Sequence, residues 1–145
     1  MIEPVRRSVH VDVAPEVAFR VFTERFGDWW PVASHSAYAA DAAAAVLEPR
    51  PGGRLYEVSR DGDENTWGEV TVWDPPRTLT FSWSPNLDKD GDTEVEVRFT
   101  PNGAGTRVEL EHRAWEALGE RAARARENYE SGWVPVLERY AAAAR

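Results

Sequence analysis

The sequence predicts an α+β fold, in which a curved antiparallel β-sheet of about six or seven strands wraps around one long C-terminal helix and two short helices follow the first strand. Apolar and polar residues alternate in short segments between residues 5 and 113, and turn-forming proline, glycine and aspartate residues separate these segments. From Trp115 onward the apolar residues recur at helical spacing instead. The 145 residues fit one domain, 1–145, that is large enough to bury a sizeable core.

The first strand and the two short helices are predicted before residue 41. Residues 5–13 alternate, with the valines on one face and polar residues on the other. Ala14-Pro15 then begins a helix, because proline lacks the N–H that would have no partner in a first helical turn. After Gly27, residues 28–31 predict a second brief helix or turn, and residues 31–41 are predicted to be irregular.

Six further strands are predicted between residues 43 and 113, joined by short turns. Two of these turns are marked by Asp61-Gly62-Asp63 and by Asp74-Pro75-Pro76. The predicted strands are Ala43–Glu48, Arg54–Arg60, Asn65–Trp73, Thr78–Trp83, Thr93–Thr100 and Thr106–Arg113.

The C-terminal segment, from Trp115 to Ala144, is predicted to be helical. Gly119 favours a separate leading turn, because glycine is a weak residue inside a helix. Pro135 is expected to kink the helix unless the carbonyl that it frees finds a partner. The apolar stripe consists of Tyr129, Trp133, Val136, Leu137 and Tyr140.

Composition excludes several classes of function. A net charge of −8 with a single lysine, Lys89, argues against a nucleic-acid or anionic-membrane partner. The chain has no cysteine, and therefore no disulfide, thiol nucleophile or thiolate metal site. No apolar run is long enough to span a bilayer, and the N-terminal residues do not resemble an ordinary signal peptide. We therefore expect a cytoplasmic protein.

Several segments, in the same order along the chain, resemble the bacterial proteins that are similar to the activator of heat-shock-protein-90 ATPase. The most specific are two strand–turn segments, and a glycine–tryptophan pair in the last helix matches the C-terminal helix of that family. The matching segments are Trp30-Pro31, His35-Ser36, Trp73-Asp74-Pro75-Pro76-Arg77 with Phe81-Ser82-Trp83, Phe99-Thr100-Pro101, Gly105-Thr106-Arg107, and Gly132-Trp133 with Leu137.

This resemblance implies a helix-grip fold, within the superfamily of START-like, polyketide-cyclase and birch-pollen-allergen-like domains. In this fold the long helix closes a cavity on the concave face of the sheet. Members of the superfamily bind lipids, sterols or plant metabolites, cyclise polyketides, or assist a chaperone. The eukaryotic activator engages its chaperone through a separate N-terminal domain, and a chain of 145 residues is expected to be too short to include it.

Large aromatic side chains are expected to form the walls of that cavity, because seven tryptophans are many for this length. A ring of this type suits a packed core equally well. The candidate wall residues are Trp29, Trp30, Phe81, Trp83, Phe99, Tyr129 and Trp133.

Polar candidates for the cavity are His112, His35 and Tyr38. His112 alternates with Val108 and Leu110, so it is expected to face the helix, where it would hydrogen-bond a ligand or transfer a proton. The alternative is a buried histidine satisfied by a neighbour such as Tyr129. His35 and Tyr38 lie in the irregular segment, which borders the cavity entrance in the helix-grip group; the alternative is that they stabilise a loop.

The remaining chemistry-bearing residues predict no metal, no cofactor and no catalytic group. The three histidines lack a recognised ligand spacing. The acidic run Asp88–Glu94 has glycine in the fourth position rather than the sixth, which favours a solvated hairpin over a calcium loop. Glu57 and Glu69 lie on neighbouring strands, but their apolar neighbours predict that both point to solvent. Trp67 and Trp73 share the parity of Glu69, so the inner face of that strand stays open.

The leading hypothesis from the sequence is a protein, more likely a binding module than an enzyme, that holds a small apolar or aromatic metabolite in a central cavity. An enzyme of the cyclase or aromatase type, in which a cavity histidine moves a proton, is the first alternative. A chaperone ATPase accessory protein acting through its acidic surface is the second. A chaperone or a second copy of the chain therefore stays open as a macromolecular partner.

Overall fold

The computed structural model describes residues 2–89 and 91–145 and confirms the helix-grip fold. Seven antiparallel strands form one curved sheet in the order β1-β7-β6-β5-β4-β3-β2. The strands are β1 Val5–Val11, β2 Ala42–Leu47, β3 Arg54–Ser59, β4 Glu64–Asp74, β5 Thr78–Trp83, β6 Thr93–Asn102 and β7 Gly105–Arg113. The helices are α1 Pro15–Glu24, α2 Phe26–Trp29 and α3 Ala122–Ala143, and two 3₁₀ segments span Ala39–Asp41 and Trp115–Arg121.

Gly119 breaks the helical path inside the segment Trp115–Arg121 and so separates the leading turn from α3, as the sequence predicts. Its φ of 58° and ψ of −126° lie where side chains are strongly disfavoured, and glycine tolerates them. The long helix therefore begins at Ala122 rather than at Trp115. Pro135 lies inside α3 on its exposed side.

Two register shifts in β4 determine which side chains face the core. One falls where β4 pairs with β3, between Leu55 and Tyr56, and the other falls between Val70 and Val72 on the side of β5. Trp67 and Val70 are consequently both buried although three positions separate them, which a regular alternation forbids. The shifts explain why large rings occur at both parities in this strand.

The prediction that Glu57 points to solvent is wrong. Leu55, Glu57 and Ser59 form the buried face of β3, and Tyr56 and Val58 are only half-buried on the other face. The prediction assumed that the apolar residues next to Glu57 mark the inner face of β3. That face instead carries polar residues that have hydrogen-bond partners inside the protein. Glu69 is exposed, as predicted.

The C-terminal helix lies across the concave face of the sheet and is bonded to the N-terminal helices. The Tyr140 hydroxyl donates to the Ala18 carbonyl at 2.8 Å, and the Arg139 Nε donates to the Trp29 carbonyl at 2.8 Å. In the part of the chain that the structure describes, no helix is both long and apolar enough to cross a membrane.

Candidate functional site

A cavity of about 220 Å³ lies between α3 and the end of the sheet where β5 finishes. Side chains from α2's end, β5 and α3 form its walls, and two loops form its rim. Exposed Ser34 and Asn86 are among the rim residues, so the cavity opens to solvent there. The lining residues are Trp30, Ser34, His35, Ser36, Ala37, Trp83, Pro85, Asn86, Tyr129, Gly132, Trp133 and Val136.

Three tryptophans form a triangle at the wall of the cavity. The ring centroids of Trp30 and Trp83 are 5.7 Å apart, those of Trp83 and Trp133 5.8 Å, and those of Trp30 and Trp133 6.0 Å. These separations are typical of favourable edge-to-face and tilted aromatic pairs. The rings support one another, and because their planes are inclined by 44° to 78° they form an angled apolar wall.

Each indole N–H of this triangle already has an acceptor inside the protein. Trp30 donates to the His35 carbonyl at 2.8 Å, and Trp83 donates to the Tyr129 hydroxyl at 3.0 Å. Trp133 donates to the Nδ1 atom of His112 at 3.1 Å. An apolar ligand can therefore cover these rings without leaving a buried donor unsatisfied.

His35 connects the loop at the rim to the C-terminal helix. Its Nε2 lies 3.1 Å from the Gly132 carbonyl, which only accepts, so Nε2 carries the hydrogen. In the neutral ring, Nδ1 then accepts from the Ser34 hydroxyl at 2.8 Å. His35 is the one histidine among the residues that line the cavity.

His112 lies behind the triangle and not on the cavity lining. Because Nδ1 accepts from Trp133, Nε2 carries the hydrogen and donates to the Thr93 hydroxyl at 2.7 Å. Thr93 in turn donates to the Trp83 carbonyl at 3.0 Å. Burial lowers the pKa of His112 from 6.5 to about 3, so the ring is neutral at physiological pH.

This arrangement leaves His112 no ring nitrogen for a ligand or for proton transfer. Its hydrogen-bond partners are Thr93 and Trp133, while Tyr129, the partner expected from the sequence, packs edge-on with ring centroids 4.7 Å apart. His112 is therefore a buried histidine satisfied by its neighbours, which is the alternative given in the sequence analysis, but its partners differ from the one expected there.

The structure brings half of the sequence-predicted site residues to the cavity: Trp30, His35, Trp83, Tyr129 and Trp133. Trp29 instead packs against Phe22 and Tyr140, and Phe99 packs against Phe19 and Phe22. Phe81 lies behind Trp83, at 5.7 Å. Tyr38 is half-buried in the rim loop, next to the lining residue Ala37, and does not itself line the cavity.

Several lining residues carry no signal in the sequence. Ser34, Ala37, Pro85 and Asn86 are ordinary loop residues, and only the topology brings the two loops together. Ser36 and Gly132 belong to segments that resemble the family, but the sequence does not predict that they line the cavity.

No group of three metal-ligating side chains occurs among residues 2–89 and 91–145. Asp90, part of the acidic run considered for calcium, lies outside the described residues. In the same loop, the Lys89 ammonium donates to the Asn65 side-chain oxygen and to the Ser84 carbonyl, at 2.8 Å and 2.6 Å.

Comparison with known proteins places the chain among helix-grip domains. Residues 12–144 match the family model for activator of Hsp90 ATPase homolog 1-like proteins. No protein with a curated function matches the sequence.

The similar solved structures include two that share more than 30% of the sequence. An anthrahydroquino-γ-pyrone synthase, Txn09, solved as a complex, is 39% identical, with a TM-score of 0.66; the match covers 98% of this chain and 97% of that one. CalC, a self-sacrificing resistance protein from Micromonospora echinospora, is 32% identical, with a TM-score of 0.73, covering 97% and 92%. Protein MLL2253 from Mesorhizobium loti, at 19% identity and a TM-score of 0.68 over 97% and 96%, shows the common fold alone.

Proposed function

The chain belongs to the family of activator of Hsp90 ATPase homolog 1-like proteins, and we propose that it binds a small, flat aromatic compound in the tryptophan-lined cavity. The observation that carries this proposal is the triangle of Trp30, Trp83 and Trp133 on a cavity that opens to solvent. Aromatic pairs contribute about 0.5–1.5 kcal/mol each beyond the burial of their area. A planar ligand in contact with this wall would be stabilised by such aromatic contacts and also by the burial of its apolar surface.

The volume of the cavity supports a ligand larger than one benzene ring. A dry apolar cavity of roughly 150 Å³ accommodates benzene, and this cavity measures about 220 Å³. The rim supplies two exposed polar groups, the Ser34 hydroxyl and the Asn86 amide, that can bond oxygen substituents at the open end. A hydroxylated compound of two or three fused rings meets both conditions.

The solved structure that is 39% identical supports an aromatic ligand. That protein is an anthrahydroquino-γ-pyrone synthase, and its name denotes a polycyclic aromatic product. The activity belongs to that protein; what it supports here is the chemical class of the ligand.

A cavity-filling substitution tests the proposal. Gly132 lies on the same helix face as Tyr129 and Val136, and a Cβ atom added there meets no atom within 4 Å. We expect wild-type protein to bind 1-naphthol and 1-hydroxyanthraquinone by isothermal titration calorimetry. Gly132→Phe is expected to weaken binding at least about tenfold, since losing one ring contact of ~1.4 kcal/mol has that effect.

Ser131→Phe is the matched control, because the same ring is then added at an exposed neighbouring position of α3. The control is expected to bind both probes as the wild type does. Equal weakening in the two variants, or binding that Gly132→Phe leaves unchanged, would show that the probes bind elsewhere.

A cyclase-type enzyme is the second candidate, and the position of His35 on the cavity wall favours it. A neutral imidazole there can accept a proton from a bound hydroxyl group once the exposed Ser34 hydroxyl turns from Nδ1 to the Pro31 carbonyl, which it reaches at 3.4 Å. Conversion of an aromatic polyketide probe to a new product, detected by mass spectrometry and lost in His35→Asn, would favour the enzyme over the binding protein.

A further inference from the structure

Two loops form the rim of the cavity, and neither is part of a helix or strand that would hold it in place. We define the first rim segment as residues 34–38 and the second as residues 84–86. They are far apart in sequence and meet only at the cavity. The opening between the two segments is the mouth of the cavity. Its width stays constant only if contacts hold both segments at once.

The first rim segment is held by the buried carboxylate of Glu57. One oxygen accepts the Tyr38 backbone N–H at 2.8 Å, and the other accepts the Ala37 N–H at 2.9 Å. The second oxygen also accepts the Trp67 Nε1 at 2.5 Å and the Asn65 Nδ2 at 3.0 Å. With four donors and no exposure to solvent, this carboxylate is saturated.

The second rim segment is held by Asn65 and Lys89. The Asn65 Nδ2 donates to the Pro85 carbonyl at 2.8 Å as well as to Glu57. The Lys89 Nζ donates to the Asn65 Oδ1 at 2.8 Å, to the Ser84 carbonyl at 2.6 Å and to the Thr66 carbonyl at 2.8 Å. The amide of Asn65 thus stands between the buried anion and the ammonium.

The charges at its two ends determine the orientation of that amide. Its NH₂ group must face the Glu57 carboxylate, and its oxygen must face the Lys89 ammonium. In the reversed orientation the amide oxygen would face the carboxylate, which only accepts, and the NH₂ group would face the ammonium, which only donates. Hydrogen bonds in such a chain polarise one another in a low-dielectric interior. A change at either end is therefore transmitted through Asn65.

We propose that Glu57, Asn65 and Lys89 form one positioning unit, the rim anchor, which sets the width of the cavity mouth by holding both rim segments together. These residues do not line the cavity, so they act on a ligand only through the rim. The consequence for ligand affinity rests on the proposed function, whereas the coupling between the two segments does not.

Amide hydrogen exchange, measured by NMR, tests the coupling directly. Lys89→Met removes the bonds to the Ser84 carbonyl, the Asn65 side-chain oxygen and the Thr66 carbonyl, and it changes an exposed side chain, so the variant is expected to fold. We expect the Ala37 and Tyr38 amides, on the opposite segment, to exchange about tenfold faster than in the wild type, since a hydrogen bond to a charged group is weakened. Arg60→Met, at another exposed position, is the control.

The Glu57→Gln variant tests the other end of the unit. A glutamine at this position places an N–H against donors that the carboxylate accepts, so exchange should increase at Ala37 and Tyr38. It should also increase at Ser84 in the second segment, whose N–H donates to the Trp67 carbonyl. Glu69→Gln, an exposed glutamate on the neighbouring strand, is the matched control and should exchange as the wild type does. If Glu57→Gln does not fold, the Lys89→Met result decides alone.

Unchanged exchange at Ala37 and Tyr38 in Lys89→Met would overturn the proposal, because each segment would then be anchored on its own. Calorimetry with 1-naphthol separates the two claims. If no variant and no wild-type sample binds the probe, the proposed function fails while the exchange data still decide the coupling. If the wild type binds and Lys89→Met binds at least about threefold more weakly, the anchor also acts on affinity.

Discussion

At the scale of single residues, His112 is a cross-link in the core. It connects β7 to β6 through Thr93 and to α3 through Trp133, and both of its ring nitrogens are used. A buried polar group of this kind stabilises the fold only while its partners are satisfied. Protonation of Nδ1 would place a second N–H against the Trp133 donor.

Stability should therefore fall in mild acid. The folded-state pKa of His112 is about 3, below the 6.5 of the unfolded chain, so below about pH 6.5 the unfolded state binds the additional proton. As the pH is lowered, the free energy of unfolding begins to decrease near pH 6.5. The decrease approaches about 1.4 kcal/mol per pH unit and ends near pH 3. Urea unfolding of the wild type and of His112→Gln at pH 7.5, 6.5, 5.5 and 4.5 measures it.

His112→Gln lacks this titration, so its free energy of unfolding should depend less on pH between 6.5 and 4.5. His10→Gln changes an exposed histidine and should keep the wild-type slope. Carboxylates titrate in all three proteins, and their effect cancels in the comparison. An identical slope in His112→Gln and the wild type would mean that the ring is protonated in the native state.

The inward direction of His112 could be predicted from its alternation with Val108 and Leu110, but its partners could not. Thr93 and Trp133 lie on other elements, and only the register of β6 on β7 and the rotation of α3 bring them to the ring. For Glu57 the direction of the side chain itself was predicted wrongly. Its burial depends on donors from a distant loop, so no local pattern indicates it.

At the scale of secondary-structure elements, α3 combines a cavity wall with glycine and proline in its interior. Gly132 lines the cavity, and its carbonyl accepts from His35 Nε2. The backbone of Gly132 is helical. Gly119, in contrast, has a positive φ and breaks the segment Trp115–Arg121 that precedes α3. The same residue type therefore has two different roles before and within the helix.

Substitution by alanine should separate these two roles. Gly132→Ala is expected to raise the free energy of unfolding by about 0.5–1 kcal/mol, because alanine restricts the unfolded chain and its methyl group meets no atom within 4 Å. Gly119→Ala should lower it by about 1 kcal/mol or more, since a side chain is strained at that φ. Urea unfolding measures both.

A lower stability for Gly132→Ala would show that α3 needs a flexible residue at the cavity. Equal effects of the two substitutions would contradict the different backbone conformations described here.

The strands could be predicted to within one or two residues, because alternation and turn residues mark their ends. The inner face of β4 could not be predicted, since two register shifts interrupt the alternation around Trp67 and Val70. A shift of this kind depends on the pairing with β3 and β5, and it leaves no unambiguous mark in the sequence of β4 alone.

At the scale of the whole molecule, the space between sheet and helix has a solid end and an open end. Phe19, Phe22, Phe99 and Tyr140 pack together at the solid end. Trp29 and Trp30 are adjacent in sequence, yet the first packs at the solid end and the second lines the cavity. Their side chains diverge because α2 ends between them, which composition alone does not predict.

An NMR titration of the tryptophan side chains tests the central claim most directly, because every indole N–H gives its own signal. On addition of 1-naphthol we expect the signals of Trp30, Trp83 and Trp133 to shift in a saturable way, while that of Trp73, which packs against Phe19 outside the cavity, stays in place. Saturable shifts confined to the three cavity tryptophans would establish the binding site. If those signals stay unchanged, or if the Trp73 signal shifts instead, the cavity is not the site at which the protein binds an aromatic ligand.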